Sequence, residues 1–425
     1  MGGPLQGIKV LEFSQIVAAP YAGACLADLG AEVVKIEPPG GDQARIIGGA
    51  PPLDSKIFQS LNRGKQSVVL DLQRPEAQAI VHRLAAGTDV VIINFRAGIA
   101  DRLNIGYAAL RAVRPAIIYV QNTAFGTSGP RANQAGSDLA MQAFAGLIAA
   151  NGRVEQDGAP ASIGASTLVD YFAGHAMAVG VCAALYHRER TGEGQLIDTT
   201  LLAAGMTLVQ GGVMREPVMD AMAWEPVRAD LERLRAEGAP YAELAGRYSR
   251  RRRSAAAFSL YYSTYQAKDG GLVFGALTRA NRGVIRSVLG DLHDPTDDAD
   301  YDPADPANLP VAERCRAEIQ RILRTKTVAE WLAAFEAVNA PVTAVNFPEE
   351  LADDPQVQAL GLMVGVEHAR TGPQQIVGPI LAMSATPPAV QGAAPTLGQH
   401  TNEVLASLGL SQAEIDGLRA AGVVA

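Results

Sequence analysis

Short apolar runs alternate with longer amphipathic stretches over the first 126 residues of the chain. The runs are rich in Val and Ile and are bounded by polar or turn residues, a pattern typical of buried parallel strands. They predict strands over Ile8–Phe13, Glu32–Glu37, Ser67–Leu72, Asp89–Phe95 and Ala116–Gln121. The stretches between them predict helices over Tyr21–Leu29, Pro75–Ala86 and Tyr107–Val113. Strand and helix in alternation imply βαβ units, and therefore a parallel sheet with right-handed crossovers.

The rest of the chain is patterned less regularly. A turn cluster, Gly126–Pro130, precedes a predicted helix over Asp138–Ala149, and Leu196–Gln210 predicts a strand that passes into a helix. Lys268–Gly271 lies between two apolar runs and predicts the turn of a hairpin. Two capping boxes predict helix starts at Thr327, with Glu330, and at Ser411, with Glu414.

Size, composition and charge restrict the class of protein. At 425 residues the chain is too long for one ordinary hydrophobic core, so two or three domains are expected. Hydrophobic residues make up 48% and charged residues 19% of the chain, which is typical of globular proteins. The net charge of −8 argues against a nucleic-acid partner, because such proteins usually present a basic face.

The cysteines and the apolar segments bear on the compartment. Cys25, Cys182 and Cys315 lie far apart and show no zinc-binding spacing, so we expect no metal site and a reducing cytoplasm. The N-terminus lacks the basic-then-apolar order of a signal peptide. The apolar run after Asp170 is shorter than the ~20 residues that span a bilayer and contains His175. We therefore predict a buried core helix there and no membrane partner.

Two common catalytic patterns are missing from the sequence. The turn Ser14–Pro20, after the first predicted strand, lacks the G-x-G-x-x-G cradle of dinucleotide-binding proteins. Glu37 is therefore interpreted as a charge at a strand end and not as a ribose ligand. Gly164–Leu168 lacks the second glycine of the G-x-S-x-G motif of serine hydrolases.

Two charged segments allow more than one interpretation. The Asp-rich loop Asp291–Pro306 lacks the glycine and the closing glutamate of an EF-hand, and we interpret it as a solvated surface loop. Arg247 and Arg250–Arg253 form a basic cluster, which we interpret as an exposed helix end. Binding of a ligand's phosphates is the alternative for these arginines.

Asp170 stands at the head of the long apolar helix, and the residues alone leave two interpretations open. Aspartate is a favoured N-cap residue, and its charge suits the positive end of a helix dipole. The same position suits a reactive carboxylate, which would attack an activated acyl group and form a mixed anhydride. Such an anhydride must be shielded from water, and apolar neighbours would provide that shield.

Five segments resemble, in the same order, the class III CoA-transferase family, which includes formyl-CoA transferase, carnitine CoA-transferase and the α-methylacyl-CoA racemases. The first is GIKVLEFSQIVAAPYAGACLADLGAEVVKIEPPGGD, and the next two are NRGKQSVVLDL and DVVIINFRAGIADRL. The fourth, LVDYFAGHAMAVGVCAALYHRERTGEGQLIDTTLL, contains Asp170, and the fifth is LGQHTNEVLASLGLSQAEIDGLRAAGVV. No single segment is decisive, whereas five in the order of the family are highly specific.

The resemblance implies a fold and an assembly. The fold is α/β, with a Rossmann-like parallel-sheet large domain plus a smaller α+β domain, in an interlocked homodimer. We expect residues 1–214 to form the N-terminal part of the large domain and residues 215–340 the small domain with a helical insert. Residues 341–425 would form a C-terminal segment that returns to the large domain.

The resemblance also implies a reaction and its nucleophile. Asp170 matches the aspartate that attacks the donor acyl-CoA in the transferases of the family. Aspartyl anhydrides and an aspartyl-CoA thioester then alternate until the acceptor carboxylic acid leaves as its CoA ester. Coenzyme A and acyl-CoA are thus expected as substrates, together with a free carboxylic acid, and no permanently bound cofactor is expected.

Positions that contact CoA in the family can be transferred one at a time. Pro38 stands where some transferases have an arginine, and Arg74 would supply a charge that the family often places at Gln73. The positions implied are Ile16, Val17, Ala18, Leu70, Asp71, Leu72, Gln73, Arg74, Asn94, Phe95, Arg96, Arg102, Ser137 and Asp138.

The racemases of the family offer an alternative activity. They use a histidine in an AGHD-like motif and a glutamate in a GAIE-like motif, and this chain has Ser137 and Thr278 at those positions. Neither hydroxyl is a general base at its ordinary pKa, so a CoA-transferase is favoured. A racemase-like enzyme and a non-catalytic acyl-CoA-binding homologue remain as alternatives. An insert over residues 215–257 departs from compact members, and the glycine-rich active-site loop of the family has no clear match.

Overall fold

The computed structural model of the chain contains two compact units. It describes residues 2–49, 53–164, 167–253, 260–290, 292–294, 297–298, 301 and 308–425, without the side chains of residues 250–253 and 309. The first unit comprises residues 1–148, 162–213 and 352–425, and the second comprises 149–161 and 214–351. The domain boundaries expected from the sequence, after residues 214 and 340, stay a prediction.

A six-stranded parallel sheet forms the centre of the first unit. Its strands are Lys9–Phe13 (β1), Glu32–Glu37 (β2), Lys65–Val69 (β3), Val90–Ile93 (β4), Ile118–Thr123 (β5) and Leu196–Thr200 (β6). They lie in the order β3-β2-β1-β4-β5-β6. The five strands predicted in the first 126 residues are all present with slightly shifted ends, and the α/β class is confirmed. Strands β1 to β3 are added toward one edge of the sheet and β4 to β6 toward the other, and this reversal of strand order leaves a crevice at the carboxyl ends of β1 and β4.

Successive residues of the central strands pack on opposite faces of the sheet. Val10 and Ile92 belong to one hydrophobic core, whereas Leu11 and Ile93 belong to the other. This period of two is intrinsic to an extended strand. Since helices cover both faces, apolar residues follow one another directly along these strands, as in Val10–Leu11 and Val90–Ile93, which is why the strands are recognisable in the sequence.

Ten α-helices are described between β1 and residue 214. They are Ala18–Asp28 (α1), Lys56–Leu61 (α2), Pro75–Ala86 (α3), Ile99–Arg102 (α4), Tyr107–Val113 (α5), Asp138–Phe144 (α6), Leu147–Asn151 (α7), Leu168–Thr191 (α8), Leu201–Leu208 (α9) and Gln210–Val213 (α10). The helix predicted over Asp138–Ala149 is wrong in one respect. It is divided into α6 and α7, because Gly146 adopts a left-handed φ of 90° between them.

The long apolar helix α8 packs into the core together with α1. Its buried positions include Val169, Ala173, Met177 and Val181, which follow the spacing of one helical face. Within the described part of the chain, α8 is the one helix whose length and mean hydropathy of 1.5 would suit a membrane span, and 44% of that window is buried. The core contacts of this stripe support the predicted core helix.

A three-stranded antiparallel sheet with surrounding helices forms the second unit. The strands are Tyr262–Gln266 (β7), Gly271–Gly275 (β8) and Val342–Ala344 (β9), in that order. The helices are Pro217–Met219 (α11), Glu225–Ala236 (α12), Tyr241–Arg253 (α13), Arg279–Val288 (α14), Leu309–Leu323 (α15) and Val328–Glu336 (α16), with a π-helix at Asp220–Trp224. The hairpin with its turn at Lys268–Gly271 and the capping box at Thr327 are confirmed.

The C-terminal segment completes the first unit. It contains Pro355–Ala359 (α17), the antiparallel strands Met363–His368 (β10) and Gly372–Val377 (β11), Thr401–Ser407 (α18) and Gln412–Ala420 (α19). The capping box at Ser411 is confirmed. Leu405 and Ile415 are buried in the core against the sheet, and Val424 forms an isolated bridge with Leu70 after β3.

Candidate active site

The N-terminus of α8 is capped from another helix. Thr167 occupies the N-cap position, and its side chain makes no capping bond within the described structure. Instead, Oδ1 of Asp138, at the start of α6, accepts hydrogen bonds from the backbone N–H groups of Val169 at 2.8 Å and Asp170 at 3.0 Å. Asp170 is therefore the third residue of the helix, and the interpretation of Asp170 as its N-cap is wrong.

The Asp170 carboxyl is nearly buried and has a shifted pKa. Its residue is 8% exposed, and Asp138, whose charge lies close by, is 7% exposed. Burial, followed by the charge of Asp138, raises the pKa of Asp170 to about 7. A carboxyl in this state exchanges its proton near neutral pH, which is common among groups that take part in reactions.

Asp170 lies in the wall of a cleft of about 500 Å³. The cleft lies at the carboxyl ends of β1, β4 and β5, where the reversal in strand order creates a crevice. It brings together nine of the residues that the sequence singled out: Asp170, Ile16, Val17, Ala18, Asn94, Phe95, Arg96, Ser137 and Asp138. Among the cleft-lining residues of the described chain, Arg96 alone is cationic.

The loop between β1 and α1 forms one wall of this cleft in an unusual conformation. Ile16 has a φ of 70°, in the left-handed region that β-branched residues rarely adopt. Such a conformation costs about 1–3 kcal/mol and persists only where the surroundings hold it. The surroundings include Asn94, whose side chain accepts a hydrogen bond from Gln15 N–H at 3.0 Å and donates one to Gln15 O at 2.8 Å.

A buried cluster of charges lies next to this loop, and the sequence analysis missed it. Lys35 Nζ lies 3.1 Å from a carboxylate oxygen of Glu12 and 3.0 Å from one of Asp42. Lys65 Nζ lies 2.8 Å from the other oxygen of Glu12, and burial lowers the pKa of Lys65 to about 8. The available signal was a charge between two apolar neighbours inside a strand, at Glu12 in β1 and at Lys35 in β2, because a charge that is buried needs a partner.

The remaining positions suggested for CoA lie outside the cleft. Leu70 is fully buried, so its side chain is closed to a ligand. Asp71, Leu72 and Gln73 follow β3, and Arg74 is exposed, 3.8 Å from Glu76. Arg102 is exposed at the end of α4, whose first residue, Ile99, lines the cleft. Contacts of these residues with CoA stay a prediction.

Ser137 and Thr278, at the positions of the racemase acid–base residues, both act as helix caps. Ser137 Oγ accepts a hydrogen bond from Ala140 N–H at 3.4 Å, and Thr278 Oγ accepts one from Asn281 N–H at 3.2 Å. Each hydroxyl therefore has a structural role within its own unit.

Glu37, the Asp-rich loop and the arginine cluster each contribute a residue to an ion pair. Glu37 is buried at the end of β2 and binds Arg45, with 2.6 Å between Oε1 and Nη2. Asp294, in the Asp-rich loop, is buried and lies 3.5 Å from Arg286, so at this residue the loop is not solvated. Arg247 pairs with Asp230, whereas the side chains of the other arginines in its cluster lie outside the described residues. Gly164–Leu168 lies partly outside them as well.

A second, apolar groove of about 690 Å³ runs along α1 and α8, and the sequence did not indicate it. Tyr21, Tyr171 and His175 line it, together with Val377–Leu381 of the C-terminal segment. Tyr21 Oη lies 3.3 Å from His175 Nε2. Asp170 does not line this groove, so the candidate chemistry belongs to the polar cleft.

Comparison with known proteins decides the family. The sequence profile of CoA-transferase family III matches residues 5–401 of the chain. The chain belongs to CoA-transferase family III. The resemblance stated from the five sequence segments is thus confirmed, and the chain is an enzyme of the class III CoA-transferase type.

Relatives and solved structures agree with this assignment. The succinate–glutarate CoA-transferase of Agrobacterium fabrum is 34% identical, over 95% of this chain and 96% of its own. The succinyl-CoA:mesaconate CoA-transferase of Haloarcula marismortui is 30% identical, over 96% of this chain and 97% of its own. The crystal structure of a CaiB/BaiF family protein from Brucella suis has a TM-score of 0.74 and 27% identity, covering 96% of this chain and all of that one (100%).

Proposed function

We propose that this protein moves CoA between an acyl-CoA donor and a free carboxylic acid, with Asp170 as the nucleophile. The observation that carries the proposal is the placement of Asp170. Its carboxyl is nearly buried, lies in the first turn of α8 and faces the cleft, at the place where the strand order of the sheet reverses. The positive end of a helix dipole favours the anion that attacks, and burial protects an anhydride from water.

The proposed reaction has four balanced steps. The Asp170 carboxylate attacks the thioester carbonyl, which expels CoA thiolate and leaves a mixed anhydride. The thiolate then attacks the carbonyl of Asp170, which releases the donor acid and forms an aspartyl-CoA thioester. The acceptor carboxylate attacks that thioester and expels CoA thiolate again. The thiolate finally attacks the acyl carbonyl of the second anhydride, which releases the new acyl-CoA and the free Asp170 carboxylate.

Dicarboxylic acids are the first substrates to test. The relatives named above act on succinate and glutarate, or on succinyl-CoA and mesaconate, according to their names. Arg96 supplies a positive charge in the cleft, and the exposed Arg74 and Arg102 supply charges outside it for the phosphates of CoA. The homodimer and the cytoplasmic location stay proposals that rest on the resemblance and on the cysteine pattern.

Trapping of the acyl-enzyme tests the proposal. The protein is incubated with succinyl-CoA and other acyl-CoAs, treated with hydroxylamine, digested and analysed by mass spectrometry. We expect a hydroxamate on Asp170, because hydroxylamine cleaves both an anhydride and an aspartyl thioester. Transfer of CoA to glutarate should fall at least ~1,000-fold in Asp170→Asn, which removes the nucleophile.

The control is Asp416→Asn, which removes an exposed carboxylate of the same unit and should leave transfer unchanged. The absence of any adduct, together with exchange of the α-proton of an acyl-CoA in deuterated water, would replace the transferase with the racemase-like alternative. Binding of CoA with neither reaction would indicate a non-catalytic homologue.

A further inference from the structure

Three consecutive residues after β1 have their backbone held by side chains from distant segments. Lys35 Nζ donates to Ser14 O at 2.9 Å, and the Asn94 amide makes the two hydrogen bonds to Gln15 described above. Asp42 Oδ1 accepts a hydrogen bond from Ile16 N–H at 3.1 Å. The segment after these contacts, Val17 and Ala18, lines the cleft with Asp170.

We propose that Asp42 and Asn94 are positioning residues that hold the left-handed turn at Ile16, so that this turn forms the wall of the cleft opposite a reacting acyl group. The part of this inference that concerns activity rests on the proposed function. Asp42 acts through the backbone of the loop, and Asn94 has the same role in addition to the substrate contact suggested by the resemblance.

The two oxygens of Asp42 have separate partners, which makes the residue difficult to replace. Oδ1 accepts from Ile16 N–H and also from Ala44 N–H at 2.9 Å. Oδ2 lies 3.0 Å from Lys35 Nζ, and the residue is only 1% exposed. Asparagine has one oxygen, so Asp42→Asn turns its amide N–H groups either toward Lys35 or toward the two backbone N–H donors. In both cases Asp42 loses a favourable contact. We call the hydrogen bonds of Asp42 to Ile16 and of Asn94 to Gln15 the clamp.

Strain at Ile16 explains why the clamp is needed. A β-branched residue with a φ of 70° relaxes toward negative φ when nothing opposes it. The relaxation would rotate the peptide bond before Val17 and displace the cleft wall. A displacement of about 1 Å near a reacting centre costs roughly 100-fold in rate.

The substitution Ile16→Gly tests whether the clamp acts through the turn. Glycine adopts positive φ without steric cost, so it keeps the turn with less help from the clamp. If Asp42 only supported the stability of the fold, Ile16→Gly would not offset the effect of Asp42→Asn, because Asp42 contacts this loop through one backbone N–H.

The experiment compares five variants with the wild type. They are Asp42→Asn, Asn94→Ala, Ile16→Gly, the double variant Ile16→Gly with Asp42→Asn, and Asp54→Asn as the matched control. Asp54 pairs with Arg45 at 2.7 Å in the neighbouring ion network, and the contacts described for it do not include the loop. Amide hydrogen exchange of the Ser14–Ala18 peptide and transfer of CoA from succinyl-CoA to glutarate are both measured.

We expect Asp42→Asn and Asn94→Ala to speed exchange in this peptide and to lower kcat/KM roughly 10- to 100-fold. Asp42→Asn should lower kcat/KM much less in the Ile16→Gly background than in the wild type, and Asp54→Asn should match the wild type. Unchanged exchange in both Asp42→Asn and Asn94→Ala overturns the clamp, as does an equal loss from Asp42→Asn in the two backgrounds. If Asp42→Asn does not fold, amide exchange in Asn94→Ala decides whether the clamp exists.

The two proposals fail in different ways. A wild type that transfers no CoA from any donor contradicts the proposed function, and amide exchange still decides whether the clamp exists. A wild type that is active while the variants lose protection without losing activity contradicts only the positioning role.

Discussion

The ionisation of Asp170 depends on the residues that surround its carboxyl. Burial is the main cause that raises its pKa to about 7, and the neighbouring charge of Asp138 adds to it. Asp138 also accepts two backbone N–H bonds at the start of α8, so one side chain holds the first turn that carries Asp170 and opposes the ionisation of Asp170. The proposed attack requires the ionised form, so protonation near neutral pH links activity to pH.

We predict that kcat/KM for transfer rises with pH through a midpoint near 7 and levels off above it, because only the anion attacks. Asp138→Asn removes the nearby charge, and the midpoint should move to lower pH. The fold should tolerate this change. Gln142 Nε2 donates to Asp138 Oδ2, and its Oε1, which lacks a partner in the described structure, can accept from an asparagine amide after a flip.

The pH dependence of kcat/KM measures this midpoint. Asp416→Asn serves as the control, because it removes an exposed charge of the same unit and should leave the midpoint in place. An unmoved midpoint in Asp138→Asn would mean that another group controls the profile.

At the level of elements, the position of Asp170 depends on how closely α1 and α8 approach each other. Both helices begin at the cleft, α1 with Ala18 and α8 shortly before Asp170. Gly174 lies one turn after Asp170, where a Cβ atom would come within 2.6 Å of Ala18 O and 2.9 Å of Tyr21 Cδ1. The closeness of the two helices therefore requires glycine at this position.

Gly174→Ala should separate the helices and destabilise the protein by about 1–3 kcal/mol, the usual cost of overpacking. Transfer activity should fall as well, because the movement displaces Ala18 in the cleft wall. Urea denaturation followed by circular dichroism measures the first effect.

The matched control for this change is Gly417→Ala in α19, where the added Cβ would meet no described atom within 4 Å apart from its chain neighbours and the local helix backbone. Alanine there should stabilise the helix by about 0.5–1 kcal/mol. Equal effects of the two substitutions would show that α1 and α8 do not constrain each other.

At the level of the whole molecule, the first unit depends on chain segments that are far apart in sequence. Thr401 Oγ accepts a hydrogen bond from Val69 N–H at 3.1 Å, and His400 N–H donates to Ser67 O at 3.0 Å. Leu405, in α18, is fully buried in the core on one face of the sheet. The C-terminal segment is thus part of the same core as β1 and β3.

Leu405→Ala should lower the free energy of unfolding by about 2–5 kcal/mol, because it leaves a cavity in this core. Leu397→Ala, at a leucine that is 40% exposed, is the control and should cost much less. Far-UV circular dichroism in urea is the suitable probe, since both tryptophans, Trp224 and Trp331, lie in the second unit. Equal losses in the two variants would indicate that the C-terminal segment folds apart from the sheet.

Local sequence determined the strands, most helices and the family of this protein. Short runs of Val, Ile and Leu mark the buried parallel strands and the residues of a capping box are close in sequence, so β1 to β5 and the starts of the helices after Thr327 and Ser411 were visible in the pattern. Asp170 was singled out in the same way, as one acid at the head of an apolar helix.

Tertiary structure alone decided the contacts of that acid and of the loop after β1. The cap from Asp138, the paired charges of Glu12 and Lys35, and the clamp of Asp42 on Ile16 join residues that are distant in the chain. The positions of Glu12 and Lys35 inside strands indicate that each needs a partner, but no local pattern specifies which residue that partner is. Only the folded chain places them in a low-dielectric interior, where every buried charge needs its partner.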